Sequence, residues 1–254
     1  ITISTTTTTG AGISDSGAIS GGVVTLTATQ STSTSTATAI SATGAITANA
    51  LTVNATGGAS STIVSLGAIT INAGGSDITV TARNATAGSN IGITQTGAIV
   101  NNAVGSNIVF TSNNKITQSG AISLVANAGA PAANLIYDTT SGNKGSDIST
   151  GALTFSTYGC ATAPCTTATA VSSYLTSANV SSATATASAG LTLLDIYTTG
   201  NITLRGVSSG SYGITYSRAV RTTGGSIAMS GVATSNTGIY GSASTALVSA
   251  TNSS

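Results

Sequence analysis

The stretch GAITINAGGSDITVTA at residues 67–82 returns as GAIVNNAVGSNIVFTS at residues 97–112, with nine of sixteen positions identical. A near-copy at a spacing of tens of residues constrains the fold more than any other feature of this chain, because such a period is the mark of stacked structural units. The opening triplet, Gly-Ala-Ile or its variant Gly-Ala-Leu, recurs at Gly17, Gly44, Gly67, Gly97, Gly120 and Gly151, with separations of 27, 23, 30, 23 and 31 residues. Spacings that vary around a constant opener predict the coils of a solenoid joined by loops of unequal length.

Within each coil the apolar residues alternate in short runs. Ile69 and Ile71 are followed by Ile78 and Val80, then by Ile91 and Ile93, before the next triplet opens at Gly97. The next two coils read Ile99, Ile108 with Phe110, and Ile116, then Ile122 with Leu124, Leu135 with Tyr137, and Ile148. Period-two runs bounded by Gly, Ser, Asn and Asp are strand signals, and no stretch carries a capped helical period. Three strands per coil and no crossover helices predict an all-β chain folded as a right-handed parallel β-helix with about three short strands per coil and variable loops. One coil cannot bury its own inward Ile and Val, whereas stacked coils pair every strand and place like over like. Gly67 and Gly97 are then expected at equivalent corners, where a side chain would clash or require positive φ. Ser76 with Asp77, and Ser106 with Asn107, are expected at the next corner, bonding local backbone.

The pattern divides the chain into regular coils over 1–156, an irregular loop or decoration over 157–189, and looser coils over 190–254. The middle segment holds both cysteines, Cys160 and Cys165, in CATAPC. Six residues containing Pro164 can close into a disulfide hairpin, which implies an oxidising compartment; the alternative is two free thiols. With no His and no third Cys, a zinc site lacks ligands.

Composition narrows the function classes. Charged residues are 4% of the chain, against roughly 25% in an ordinary soluble domain. Yet 40% of residues are hydrophobic and the net charge is only +1, so this is not the composition of a disordered chain. No apolar run approaches the roughly 18 residues of a membrane-spanning helix. The sequence opens at Ile1 without Met and without a basic-then-apolar leader, as expected of a processed chain or an interior segment.

The Gly-Ala-Ile openers, together with GSDITVTA, GSNIVFTS, GNITL and GGSIAMSG, resemble the degenerate coils of filamentous haemagglutinin-like exoproteins, the β-helical adhesins of bacterial surfaces. The resemblance is one of repeat style and covers most of the chain. It implies export, a rod-like shape, and a role in adhesion or in an extracellular matrix.

Catalysis is not expected. The five acids, Asp15, Asp77, Asp138, Asp147 and Asp195, are dispersed, and Asn107 interrupts any carboxylate ladder between Asp77 and Asp147. A calcium-dependent polysaccharide enzyme would want six to eight oxygen ligands, several of them carboxylate. A Ser-His-Asp triad is impossible without His, and the cysteines lack a base. The six cations are too few and scattered to track a phosphate backbone, so no nucleic acid partner is expected. All seven tyrosines lie between Tyr137 and Tyr240, either as fillers of looser coils or as an aromatic ledge for sugar rings. Tyr212 and Tyr216 with Arg218 and Arg221 make the nearest approach to a basic aromatic patch, and are the candidate glycan contact; the alternative is a solvated strand end.

Three classes remain. The leading expectation is a non-enzymatic extracellular structural or adhesive protein, part of a cell-surface filament, sheath or matrix fibre, without cofactor or metal. Its partners would be itself, head to tail or laterally, the continuation of a longer chain, or surface carbohydrate, with too little charge to oppose packing. The second is an ice-binding β-helix, suggested by TLTAT at 25–29 and TSTSTAT at 32–38, and weakened by mixed Thr, Asn, Ser and Val at outward positions of the regular coils. The third is a glycan-active enzyme. Five Asn-X-Ser/Thr triplets, at Asn54, Asn84, Asn179, Asn201 and Asn252, arise readily by chance in so Ser/Thr-rich a chain.

Overall fold

The repeats close into a parallel β-solenoid in a computed structural model. It describes residues 1–32, 34–58, 62–84, 91–103, 106–112, 115–118, 122–124, 134–138, 177–185, 189–193, 196–198, 201–216, 219–222, 225–241 and 247–250. Cys160, Cys165, Arg218, Asp147 and the Gly151 triplet lie outside them.

Among the described residues, eight coils lay down three strands each. The first five coils are Thr2–Thr7, Ile13–Asp15 and Ile19–Ser20; Val23–Gln30, Ile40–Ala42 and Ile46–Ala48; Ala50–Gly57, Thr62–Leu66 and Ile69–Ile71; Ile78–Asn84, Ile91–Gln95 and Ile99–Asn101; and Ile108–Ser112, Lys115–Gln118 and Ile122–Leu124. Asn134–Asp138 belongs to a sixth coil. Three more follow, with Ser177–Ala185, Leu191–Leu193 and Ile196–Thr198; Ile202–Ser208, Ile214–Tyr216 and Ala219–Thr222; and Ile227–Ala233, Ile239–Gly241 and Leu247–Ala250. The first strands of all coils form one nine-stranded parallel sheet, here the long sheet. The second and third strands form shorter parallel sheets, of five strands each in the first five coils and three each in the last three. No helix occurs among the described residues.

The triplets stack as their spacing requires. Ile19, Ile46, Ile69, Ile99 and Ile122 are successive partners in one column. The backbone N–H groups of Ile19, Ile46 and Ile69 donate to the carbonyls of Ala45, Ala68 and Ala98 in the next coil, at 2.8 to 2.9 Å. Ile78 lies between Leu51 and Ile108 in the long sheet, again with like over like. These columns meet on the axis as one core that contains Leu26, Leu51, Ile78 and Phe110 from the long sheet and Ile40, Val64 and Ile93 from the second. Alternation does the sorting, because neighbouring strand residues point to opposite faces: Val23–Gln30 alternates between covered and open positions, and Ala50–Gly57 does the same.

The glycine of the triplet is required by proximity, not by conformation. A β-carbon on Gly44 would overlap the carbonyl of Gly17, one on Gly67 would overlap that of Thr43, and one on Gly97 would strike the backbone of Ala68. The coils therefore touch backbone to backbone at this corner. Positive φ belongs instead to Gly74, at 74°.

In the last coils the tight corner moves. Gly190, Gly213 and Gly238 precede the second-sheet strands, and a β-carbon on any of them would overlap backbone. Gly206 and Gly231, inside long-sheet strands, face the carbonyls of Gly213 and Gly238. The sequence signal of this second ladder, Gly-Leu or Gly-Ile at 190, 213 and 238, is too short to stand out.

The segment 157–189, expected to be irregular, contains the strand Ser177–Ala185, which continues the long sheet between Asn134–Asp138 and Ile202–Ser208. Its sequence, SANVSSATA, carries a single large apolar residue, Val180, so the alternation that betrays other strands is nearly silent there.

Candidate functional site

The polar corner before the long-sheet strands binds coil to coil. Asp77 Oδ1 accepts the backbone N–H of Asn107 at 2.7 Å, and Asp77 Oδ2 accepts the Asn107 side-chain amide at 3.2 Å. Asn201 Oδ1 likewise accepts the backbone N–H and the hydroxyl of Ser226, at 3.0 and 3.1 Å. Asn72 Nδ2 donates to Asn49 Oδ1 of the preceding coil at 2.9 Å. Of the residues expected to bond local backbone here, Asp77 and Asn107 bond each other across adjacent coils, whereas the Ser106 hydroxyl donates to the local carbonyl of Ala103 at 3.2 Å. Asp77 is thus engaged in holding the stack.

Two buried glutamines do similar work. Gln30 Nε2 donates to the carbonyls of Gly10 and Ala37, and Gln30 Oε1 accepts the backbone N–H of Gly58. Gln95 Nε2 donates to the carbonyls of Gly67 and Gly97. Neither was singled out by the sequence pattern.

Of the candidate glycan contacts, Tyr216 ends the strand Ile214–Tyr216 and packs against the core, the position of a filler. Tyr212 stacks on Tyr240 of the next coil, with ring centroids 4.6 Å apart and planes 12° from parallel. Tyr240 is exposed and was not among the candidates. Arg221 is exposed on the third sheet, paired in register with Tyr197 and Ser249. Arg218 lies outside the described residues.

An organised polar surface covers the outward face of the long sheet over coils one to four. Register places Thr2, Thr25, Thr52 and Thr79 in one column, Ser4, Thr27, Asn54 and Thr81 in a second, and Thr6, Thr29, Thr56 and Arg83 in a third. Nine of these twelve positions are threonine, and none of the twelve is buried. Coil spacing in a sheet is about 4.8 Å and residues i and i+2 lie about 6.6 Å apart, so the array covers roughly 14 by 13 Å. Past Thr79 the first column continues as Val109 and Ile136, and the regularity ends. Of the two threonine runs in the sequence, TLTAT at 25–29 supplies one row of this array. TSTSTAT at 32–38 lies between strands, with Ser35 buried there and bonded to the carbonyl of Thr9, and contributes nothing to it.

Among the described residues no three of His, Cys, Asp and Glu come together as metal ligands, and no helix is long and apolar enough to cross a membrane. No protein-family model, curated protein or solved structure matches the chain. What the chain is rests on its own geometry: a β-helical repeat protein.

Proposed function

We propose that this chain is a section of an extracellular structural or adhesive fibre of the kind built by filamentous haemagglutinin-like exoproteins, and that it acts without catalysis. The observation that carries the reading is the continuous long sheet, in which nine strands stack in parallel and the outermost strands carry uncovered apolar side chains. At one end Ile1 and Ile3 are exposed, and at the other Val232, Ile239, Tyr240 and Val248 are exposed. An open sheet edge beside bare apolar surface invites a further strand. Further coils would satisfy both ends, whether from the same polypeptide or from a second copy stacked head to tail. A heterologous contact of that kind does not close and propagates as a fibre.

The sides of the rod support the same reading. With six cations and five acids in the whole chain, lateral approach of two rods meets little repulsion. The Tyr212–Tyr240 stack offers a flat aromatic surface of the kind that packs on sugar rings. Export follows from the same reading, since a fibre of this kind works outside the cell.

Electron microscopy and sedimentation of the native material test the proposal. Long threads, or assemblies that lengthen with concentration, are expected. A compact monomer with no tendency to polymerise would overturn the fibre, and release of reducing sugar from a polysaccharide would overturn the non-catalytic role.

A further inference from the structure

We propose that the threonine array on the long sheet is an ice-binding face. Three observations carry it. The array is two-dimensional: three columns repeat in four coils without a register shift from Thr2 to Arg83. Threonine is stiff at χ1 in a strand, so its methyl and hydroxyl are held in fixed relation and little side-chain entropy is lost on contact with a rigid surface. Eleven of the twelve side chains are uncharged, the exception being Arg83 at the array's edge, so the face carries almost no charge around which liquid water would be held in a competing order.

The spacings decide between a water lattice and an arbitrary polar surface. Water molecules bonded tetrahedrally at about 2.75 Å have second neighbours about 4.5 Å apart, and the lattice repeats roughly every 7.3 Å along the normal to its puckered layers. The array repeats at about 4.8 Å between coils and about 6.6 Å along a strand. The mismatch accumulates to about 1 Å across four coils and about 1.4 Å across three columns, at most half of one oxygen–oxygen separation. Over the nine strands of the long sheet it would reach about 2.4 Å, close to one whole separation, so a patch of limited extent is the workable size.

The methyl groups order water above the face and the hydroxyls anchor it, so the protein adsorbs to ice and arrests growth. The inference does not rest on the end-to-end stacking of the fibre reading, because the array faces sideways from the solenoid.

Thermal hysteresis and partition into a slowly growing ice front, measured on the full chain, test it with two variants in the same outward column of the long sheet. Thr52→Tyr puts a ring in the middle of the array, and Thr203→Tyr puts the same ring four strands past Thr79, outside it. Far-UV circular dichroism establishes that both retain the fold, which aromatic residues on a strand surface permit. The expected result is hysteresis and ice shaping in the parent, loss of most of that activity in Thr52→Tyr, and full activity in Thr203→Tyr. A folded parent with no hysteresis and no enrichment in ice would overturn the proposal, as would equal losses in the two variants. Preferential co-sedimentation with insoluble polysaccharide, blocked by Thr52→Tyr and unaccompanied by ice partition, would overturn it in favour of a glycan surface.

Discussion

The side-chain amide of Gln95 donates to the backbone carbonyl of Gly67, one coil below, and to that of Gly97 in its own coil. One buried side chain thus ties together two equivalent glycine corners, where backbone lies against backbone. Replacing Gln95 with alanine strips both carbonyls of that donor in a site closed to water. The expected cost is about 2 to 3 kcal/mol, since buried groups left without a partner lose their solvation with nothing in return. Urea unfolding of Gln95→Ala measures it, and a midpoint unchanged from the parent would show that the corner does not need the tie.

Gly67→Ala should be among the most damaging small substitutions in the chain. Its new methyl group would occupy the place of the Thr43 carbonyl, and backbone of the neighbouring coil cannot yield as a flexible side chain can. A loss of about 3 kcal/mol or more is expected, at or beyond the upper range of overpacking costs. Gly10→Ala is the contrast, because a β-carbon there meets nothing within 4 Å. Equal melting temperatures for the two variants would contradict the close approach.

Ile78 is fully buried between Leu51 and Ile108 in the inward face of the long sheet. Ile78→Asp places a carboxylate in a column of apolar side chains without a partner, and should cost about 4 kcal/mol or more. Ile78→Val, which keeps the column apolar, should cost about 1 kcal/mol. Calorimetry on the pair distinguishes a stacked core from a loosely collapsed one.

At the polar corner the expectation is an asymmetry. Asp77→Asn keeps an acceptor for the Asn107 backbone N–H, and Asn201 already fills that role towards Ser226, so the change should be close to neutral. Asp77→Ala removes the acceptor from both Asn107 donors and should cost about 1 to 2 kcal/mol. If the two variants unfold at the same denaturant concentration, the inter-coil bond contributes nothing.

For Cys160 and Cys165, which lie outside the described residues, the sequence expectation is a short disulfide loop, with stabilisation towards or below the low end of about 2 to 4 kcal/mol. Thiol titration of the denatured, unreduced protein should find no free thiol. Two thiols per chain would refute the bond and remove one support for export.

The sequence by itself determined the coil. Gly44, Gly67 and Gly97 mark successive turns because the backbone contact at that corner excludes every larger residue, and so imprints glycine on those coils. The inward Ile and Val columns were legible for the same reason: burial leaves few choices. Outward positions carry no such constraint, and their partners are set by register across loops of unequal length. Thr2 meets Thr25 after 23 residues, whereas Thr25 meets Thr52 and Thr52 meets Thr79 after 27. No single offset spans all four coils to reveal that those threonines share a face, and the neighbouring run TSTSTAT, also rich in threonine, lies between strands. The same holds for Tyr212, whose partner Tyr240 is identified by stacking, and for Gln95, whose reach to Gly67 exists only once two coils are in contact. Identity of residues and alternation dictated what turns inward; the register of one coil on the next, which only the tertiary structure fixes, decided what stands beside what on the outside.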